Sequence, residues 1–455
     1  MFDTIIYGGT AVFEDGAVRA GIGVKDGKIA AVGELSGEEA LRYVDARGCC
    51  LLPGAVDCHA HLNDPGFTWR EDFETGTAAA AAGGVTTVID MPLQNRPPLF
   101  DKKAFDAKLA ALDGRAAVDY AFWGAALDYN IDDLEELDAA GCAAYKIFLG
   151  PVSDDYQTLT HETAEKVAEK AAKFGGLLGF HAEDYDIIKG LEAKFSAEGA
   201  PTRRNFLDSR PVEAELAAVR FVLGLSERLG VRAHICHVSH PAVAELIAEA
   251  QRRGAPVTAE TCMHYLIFSE KELLEKGMIF KCAPPLRTEE ARDALWNYVK
   301  NGVLAAICSD HSPCRADEKD EAAHGVFGAW GGISGIQSTA QLFYEYAVNR
   351  KKYPVEIMAR ELSANPAKIF GLYGQKGALK PGFDADIVIF DPNLEWTITE
   401  DSLLYKNKIS AFAGLSGRGA PVETLVRGET VYKRGRGPLG FHGRFVKPRG
   451  KEEKR

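Results

Sequence analysis

Six residues in this chain could do metal chemistry together, and each stands in or just after an apolar, strand-like run. They are His59 and His61 in DCHAHLNDPG, Lys146 in AYKIFLG, His181 in GFHAED, His237 in HICHVSH and Asp310 in ICSDHSPC. Imidazole and carboxylate are ordinary ligands of zinc and similar divalent ions. His59 and His61 are separated by one residue, so on a strand both point the same way and can grip one ion. His181 and His237, from later runs, suit a second ion. Asp310 can ligate the first ion while its free oxygen takes a proton from water and hands it to a leaving nitrogen. Two ions about 3.5–4 Å apart lower the pKa of water towards neutrality and polarise a carbonyl, which is the chemistry of hydrolysing an amide-like bond.

Taken singly, a histidine at a strand end is more commonly a hydrogen-bonded core residue, and a lysine there a salt-bridging one. Recurrence of six candidates at one kind of position reverses that reading. His234, His240, His264 and His311 lie beside the ligands in sequence and are expected to face away from them, in core or supporting roles. Cys262 and Cys282 are expected to be buried thiols, because no Cys/His/Asn arrangement accompanies them. GxGxxG and phosphate-loop patterns are absent.

The elements that must position these residues are eight β-rich apolar runs: LLPGAVDCHA, VTTVIDMP, AVDYAFWGA, AAYKIFLG, GLLGFHAE, RAHICHVS, PVTAETCMHYL and VLAAICSD. Helix-like segments such as HETAEKVAEKAAKFGG and PAVAELIAEAQRRG alternate with them. Near-continuous apolar strands separated by amphipathic helices predict a parallel α/β sheet, and eight of them favour a closed (β/α)8 TIM-type barrel over residues 53–375. The ligand candidates then fall at the carboxyl ends of runs one, four, five, six and eight, the face where such barrels build active sites. Residues 1–52 and 376–440 read as short alternating strands with Gly turns, predicting one small β-sandwich domain built from both termini. Residues 441–455, charged and containing Pro and Gly, read as a solvated tail or an edge contact.

Composition narrows the partners. With 455 residues, 46% hydrophobic and 26% charged, the chain is long enough for one large core plus a smaller domain. A formal charge of −12 repels nucleic acid and anionic membrane and leaves a small molecule as the expected partner. An odd count of nine cysteines without paired spacing predicts free thiols in a reducing cytoplasm. No secretory leader and no span of about 18 apolar residues is seen.

DCHAHLNDPG, DFETGTAAAAAGGVTTVIDMP, AYKIFLG, HAED, ICHVSH, ETCMHYL, CAPPLR and SDHSPC together resemble the cyclic amidohydrolases, the group of dihydroorotases, hydantoinases or dihydropyrimidinases, and allantoinases. The likeness runs over most of residues 1–440. It implies a binuclear centre of Zn, or of Co, Mn, Ni or Fe, with His59, His61, Lys146 and Asp310 on one ion and Lys146, His181 and His237 on the other. Lys146 would be an N6-carboxylysine made with CO2, and Asp310 the acid/base.

Within the group, dihydroorotases carry Arg where this chain has Asn63, and a neutral amide cannot pair with a substrate carboxylate. Hydantoinases carry an oxyanion-binding Tyr where it has Pro151, with Tyr156 the one nearby substitute. The pattern through Trp69, Arg70, DFETG, SDHSPC and AWGGISGIQS is most similar to the subgroup that opens the hydantoin ring of allantoin. The resemblance implies substrate contacts at Asn63, at Gln94 or Asn95, at the backbone of Cys282, at Ser312 and at Gly331. It also implies a homotetramer. Relatives that persist as noncatalytic assembly proteins lose metal ligands, and none is missing here.

Overall fold

The computed structural model describes residues 1–448. Eight parallel strands form one sheet in sequential order: β1 (Ala55–Ala60), β2 (Val85–Asp90), β3 (Asp119–Ala125), β4 (Ala144–Phe148), β5 (Leu177–His181), β6 (Arg232–Ile235), β7 (Val257–Cys262) and β8 (Ala306–Cys308). Closure between β8 and β1 comes from a parallel bridge of Ala60 with His311 and from two hydrogen bonds. His61 N donates to His311 O at 2.8 Å, and Ser309 N to the Asp57 carboxylate at 3.1 Å. Residues of β1 to β5 are buried throughout, as strands covered on both faces must be.

The amphipathic segments fold as read. His161–Phe174 is a helix because Thr160 caps its start by accepting from Thr163 N, and Gly175 at φ 75° ends it. Pro241–Arg252 starts on His240, whose ring nitrogen accepts from Ala242 N. That places His240 in a capping role.

One boundary differs from the sequence reading. The run LLPGAVDCHA divides at Gly54 between two sheets: Cys50–Pro53 pairs antiparallel with Ile387–Phe390 and parallel with Thr10–Ala11, and only Ala55–Ala60 enters the barrel. Apolar content does not mark the division, since both halves are buried. A Cβ on Gly54 would sit 2.0 Å from Thr86 Oγ1, so the crossing passes through a spot that only glycine fits. The flanking sheets have seven strands (437–438, 429–433, 416–426, 387–397, 50–53, 10–12, 17–19) and four strands (28–33, 21–25, 2–7, 40–45). Both ends of the chain thus share one sheet.

The described part of residues 441–455 makes the edge contact and not a solvated tail. Phe445 bridges Tyr120, Val446 N donates to Tyr120 O at 2.8 Å, and Val446 is buried. Nearby, Lys376 is buried among Asp119, Asp384 and Asp386, and Arg427 also pairs with Asp119. Residues 449–455 lie outside the described residues.

Candidate metal centre

The structure brings all six candidates to the carboxyl-end rim. Lys146 is fully buried, and His59, His61, His181, His237 and Asp310 are 9% exposed or less. His59 Nε2 and His61 Nε2 lie 3.3 and 3.4 Å from one Asp310 oxygen, and ligand atoms of these three fall within 4.8 Å of one another. His181 Nδ1 and His237 Nε2 face each other at 3.2 Å, and the His59 and His237 rings are 5.3 Å apart. Among the described residues no oxygen or nitrogen acceptor bonds the Lys146 amine, which lies 5.1 Å from the Phe148 ring centroid. Left-handed backbone recurs here at non-glycine residues: Asn63 (φ 59°), Gln94 (56°), His237 (38°) and Asp310 (42°). Such strain concentrates where a site must aim particular side chains.

The environment favours neutral imidazoles, the ligand form. Burial, aided by Lys146, lowers His59 to about 4, and burial pulls His181 down and His237 well down. Asp310 is pressed by burial, yet the surrounding histidines hold its carboxyl far below the usual range, so it stays ionised.

Two carboxylates that the motif reading left without roles fix the rings. Glu260 accepts from His59 Nδ1 at 2.5 Å, and His234 Nε2 lies 3.1 Å from its other oxygen. Glu183 takes His181 Nε2 at 2.8 Å and Arg210 Nη1 at 2.5 Å. Arg210 and His181 together hold Glu183 at about 2 against the burial that opposes ionisation. The signal was in the sequence: an ionisable residue inside an apolar run must find a partner. What could not be read was which histidine, since Glu260 and His59 are 201 residues apart.

The other histidines divide. His234 supports Glu260 and bonds Thr258, and His311 lies between Glu71 and the Gly335 N–H. His264 departs from the expectation that it faces away: its ring has no hydrogen-bond partner, and it groups with Cys262 and Asp310. Cys262 is buried beside Cys308, with Sγ atoms 3.5 Å apart, and all nine cysteines are free.

A cleft of about 480 Å³ lies over the centre, bordered by Gln94, Ser312, Trp330 and Gly331 among others. Gln94 reaches it, held by its backbone N–H on Asp155 at 2.8 Å. Asn95 does not, which corrects its reading as a substrate contact. Its Nδ2 spans the Met91 and Leu93 carbonyls, and its Oδ1 accepts from Lys108 at 2.9 Å, so the amide is spent inside the loop. Asn63 is wholly buried outside the cleft lining, with Nδ2 on His61 O at 3.3 Å and Oδ1 unpaired. The Cys282 side chain is also buried outside the lining, between the lining residues Lys281 and Ala283. Tyr156 is no donor into the cleft: its hydroxyl donates to Lys146 O at 2.9 Å.

The amidohydrolase family model matches residues 50–431. Allantoinase of Rubrobacter xylanophilus is 41% identical over 448 residues, 98% of each chain, and allantoinase of Enterococcus faecalis is 38% identical over 98% of this chain and 99% of its own. L-Hydantoinase (dihydropyrimidinase) from Arthrobacter aurescens superposes with a TM-score of 0.95 at 32% identity, over 98% of this chain and all of that one. A D-hydantoinase structure gives 0.91, also at 32% identity over 98% of this chain. Agreement of this extent, across the sheets that both termini share as well as the barrel rim, makes the chain a member of the amidohydrolase family.

Proposed function

We propose that this chain hydrolyses the hydantoin ring of allantoin to give allantoate, using two divalent ions held by His59, His61, Lys146, His181, His237 and Asp310. One observation carries the metal reading. Lys146 is fully buried beside the His59, His181 and His237 imidazoles, with an amine that no oxygen or nitrogen acceptor satisfies among the described residues and that only the Cys236 thiol approaches. A buried polar group without a partner is costly, so the site suits a modified lysine. Addition of CO2 to the neutral amine forms the N–C bond of a carbamate and releases one proton. The resulting anion would add two oxygens to the donors that could hold the ions.

When bound, the ions activate water and polarise the amide carbonyl. The chain's own residues do the rest. Glu260 keeps His59 donating from Nδ1, so that its Nε2 faces Asp310, and Glu183 does the corresponding work for His181. Asp310, ionised and within 3.3–3.4 Å of the His59 and His61 nitrogens, takes the proton from the attacking water and returns it to the ring nitrogen as the C–N bond breaks. Gln94, Ser312 and the backbone at Gly331 border the cleft where the ring would sit.

Allantoin is favoured over other hydantoins by the full-length likeness to allantoinases and by the engaged hydroxyl of Tyr156. Protein supplied with Zn, Co or Mn and bicarbonate should open allantoin in a panel with dihydroorotate, dihydrouracil and hydantoin. Turnover of dihydrouracil or a 5-substituted hydantoin, with none of allantoin, would move the chain to the hydantoinase reading. Free, mostly buried cysteines support a reducing cytoplasm. The homotetramer rests on family resemblance, and light scattering of the purified protein tests it.

A further inference from the structure

The cleft has a second polar wall, made by segments that supply no candidate metal ligand. Lys189 and Glu192 come from the helix Tyr185–Glu198, Phe206 from the helix Arg203–Ser209, and Arg210 and Lys281 from the loops beyond. Lys281 is 4% exposed and Arg210 7%, yet both border the cleft. The Phe206 ring lies beneath both cations, 4.8 Å from Lys281 Nζ and 5.9 Å from Arg210 Cζ. Lys281 donates to Phe327 O at 2.8 Å and Ala329 O at 2.5 Å; burial lowers it to about 7, and below that pH the third N–H of its ammonium is unspent. Arg210 spends Nη1 on Glu183, while its Nε–H is buried without a partner. Glu192 holds Lys189 through one oxygen at 2.8 Å, leaving the other as an acceptor.

An unspent N–H in a ligand-sized cleft asks for an acceptor from the ligand. The wall offers a donor on Lys281 beside an acceptor on Glu192, next to the Phe206 ring. That is the complement of a planar urea, whose carbonyl oxygen accepts and whose flanking N–H groups donate. Resting on the allantoin reading, we infer that Lys281 and Glu192 form a subsite for a ureido substituent on the ring being opened. The Lys281 ammonium donates to the ureido carbonyl, and the free Glu192 oxygen accepts a ureido N–H. An alkyl or aryl substituent provides neither partner and leaves both groups unmatched, which gives a polar subsite its power to reject.

The test compares kcat/KM for allantoin with kcat/KM for unsubstituted hydantoin in the metal-loaded wild type, Lys281→Met and Glu192→Leu. Each substitution should lower the allantoin-to-hydantoin ratio tenfold or more, chiefly through KM for allantoin. Glu192 sits part-exposed on a helix, and its side chain bonds Lys189 on that same helix, so its variant reports on the subsite apart from the bonds that Lys281 makes to the 327–329 loop. A ratio within twofold of wild type in Glu192→Leu overturns the subsite, even if Lys281→Met moves it, because the Lys281 effect then comes through the loop. Wild-type protein that opens hydantoin and not allantoin removes both the proposed function and the subsite. Wild type that opens allantoin, with unmoved ratios in the variants, removes the subsite alone.

Discussion

Replacing Glu260 by Gln preserves shape and removes one buried negative charge beneath the first ion's ligands. The carboxylate accepts from His59 Nδ1 at 2.5 Å, stands 3.1 Å from His234 Nε2 and accepts from the Cys58 thiol at 3.1 Å. Glutamine has a single acceptor oxygen. If that oxygen keeps His59, its amide N–H2 meets the Cys58 thiol and His234; if the amide flips, His59 loses the bond that fixes its tautomer. Exchanging a charge-assisted hydrogen bond for a neutral one costs about 1 kcal/mol, and loss of a partner that orients a metal-bound histidine typically weakens metal affinity by about 10–100-fold, or roughly 1.4–2.7 kcal/mol. Zinc affinity of Glu260→Gln, measured by competition with a fluorescent chelator, should fall within that range. Turnover should recover in part when zinc is raised to saturation. A folded variant with affinity within twofold of wild type would refute the orienting role of Glu260.

Lys146→Ala should lose metal along with turnover, and short carboxylic acids should restore part of both; full activity without them would eliminate the carbamate. Asp310→Asn should keep much of its metal and lose about 100-fold or more in kcat, and a near-normal kcat would contradict the proton-transfer role. Burial lifts the Glu361 carboxyl from its ordinary 4.5 to about 7 against the pull of its Arg360 and Asn365 hydrogen bonds. The folded protein therefore binds that proton more tightly than the unfolded chain, and stability is lost as pH rises from 4.5 through 7, by about 3 kcal/mol at pH 8. Glu361→Gln should accordingly raise Tm at pH 8 and leave it little changed at pH 4.5; an equal effect at both would contradict the burial argument.

The barrel was legible because its strands are buried on both faces and read as unbroken apolar runs, and the helices because their polar faces break that monotony. The same monotony hid the division at Gly54, where two buried strands of different sheets abut. Candidate ligands were legible from residue type and position at strand ends. Their supports were not, since Glu260 and Glu183 acquire meaning only when strands distant in sequence become neighbours. Alternation along a strand also misplaced His264: it lies just beyond β7, in the short helix Met263–Ile267, where a period of two no longer sets direction. Asn95 failed for a related reason. A loop residue one position from a candidate contact can be wholly consumed in holding the loop, and Lys108, thirteen residues on, is what consumes it.

The crossing at Gly54 bears on how this molecule can be cut. Cys50–Pro53 is the joint on which Ile387–Phe390 and Thr10–Ala11 both hang, and it runs within a single glycine of the strand that carries His59. A fragment beginning at residue 55 would leave the 387–397 strand without one of its two neighbours and the candidate ligands His59 and His61 on a strand with a free end. The catalytic barrel is therefore not a detachable module: excision, fusion or permutation has to open the chain elsewhere, in loops that carry no strand from one sheet into the other.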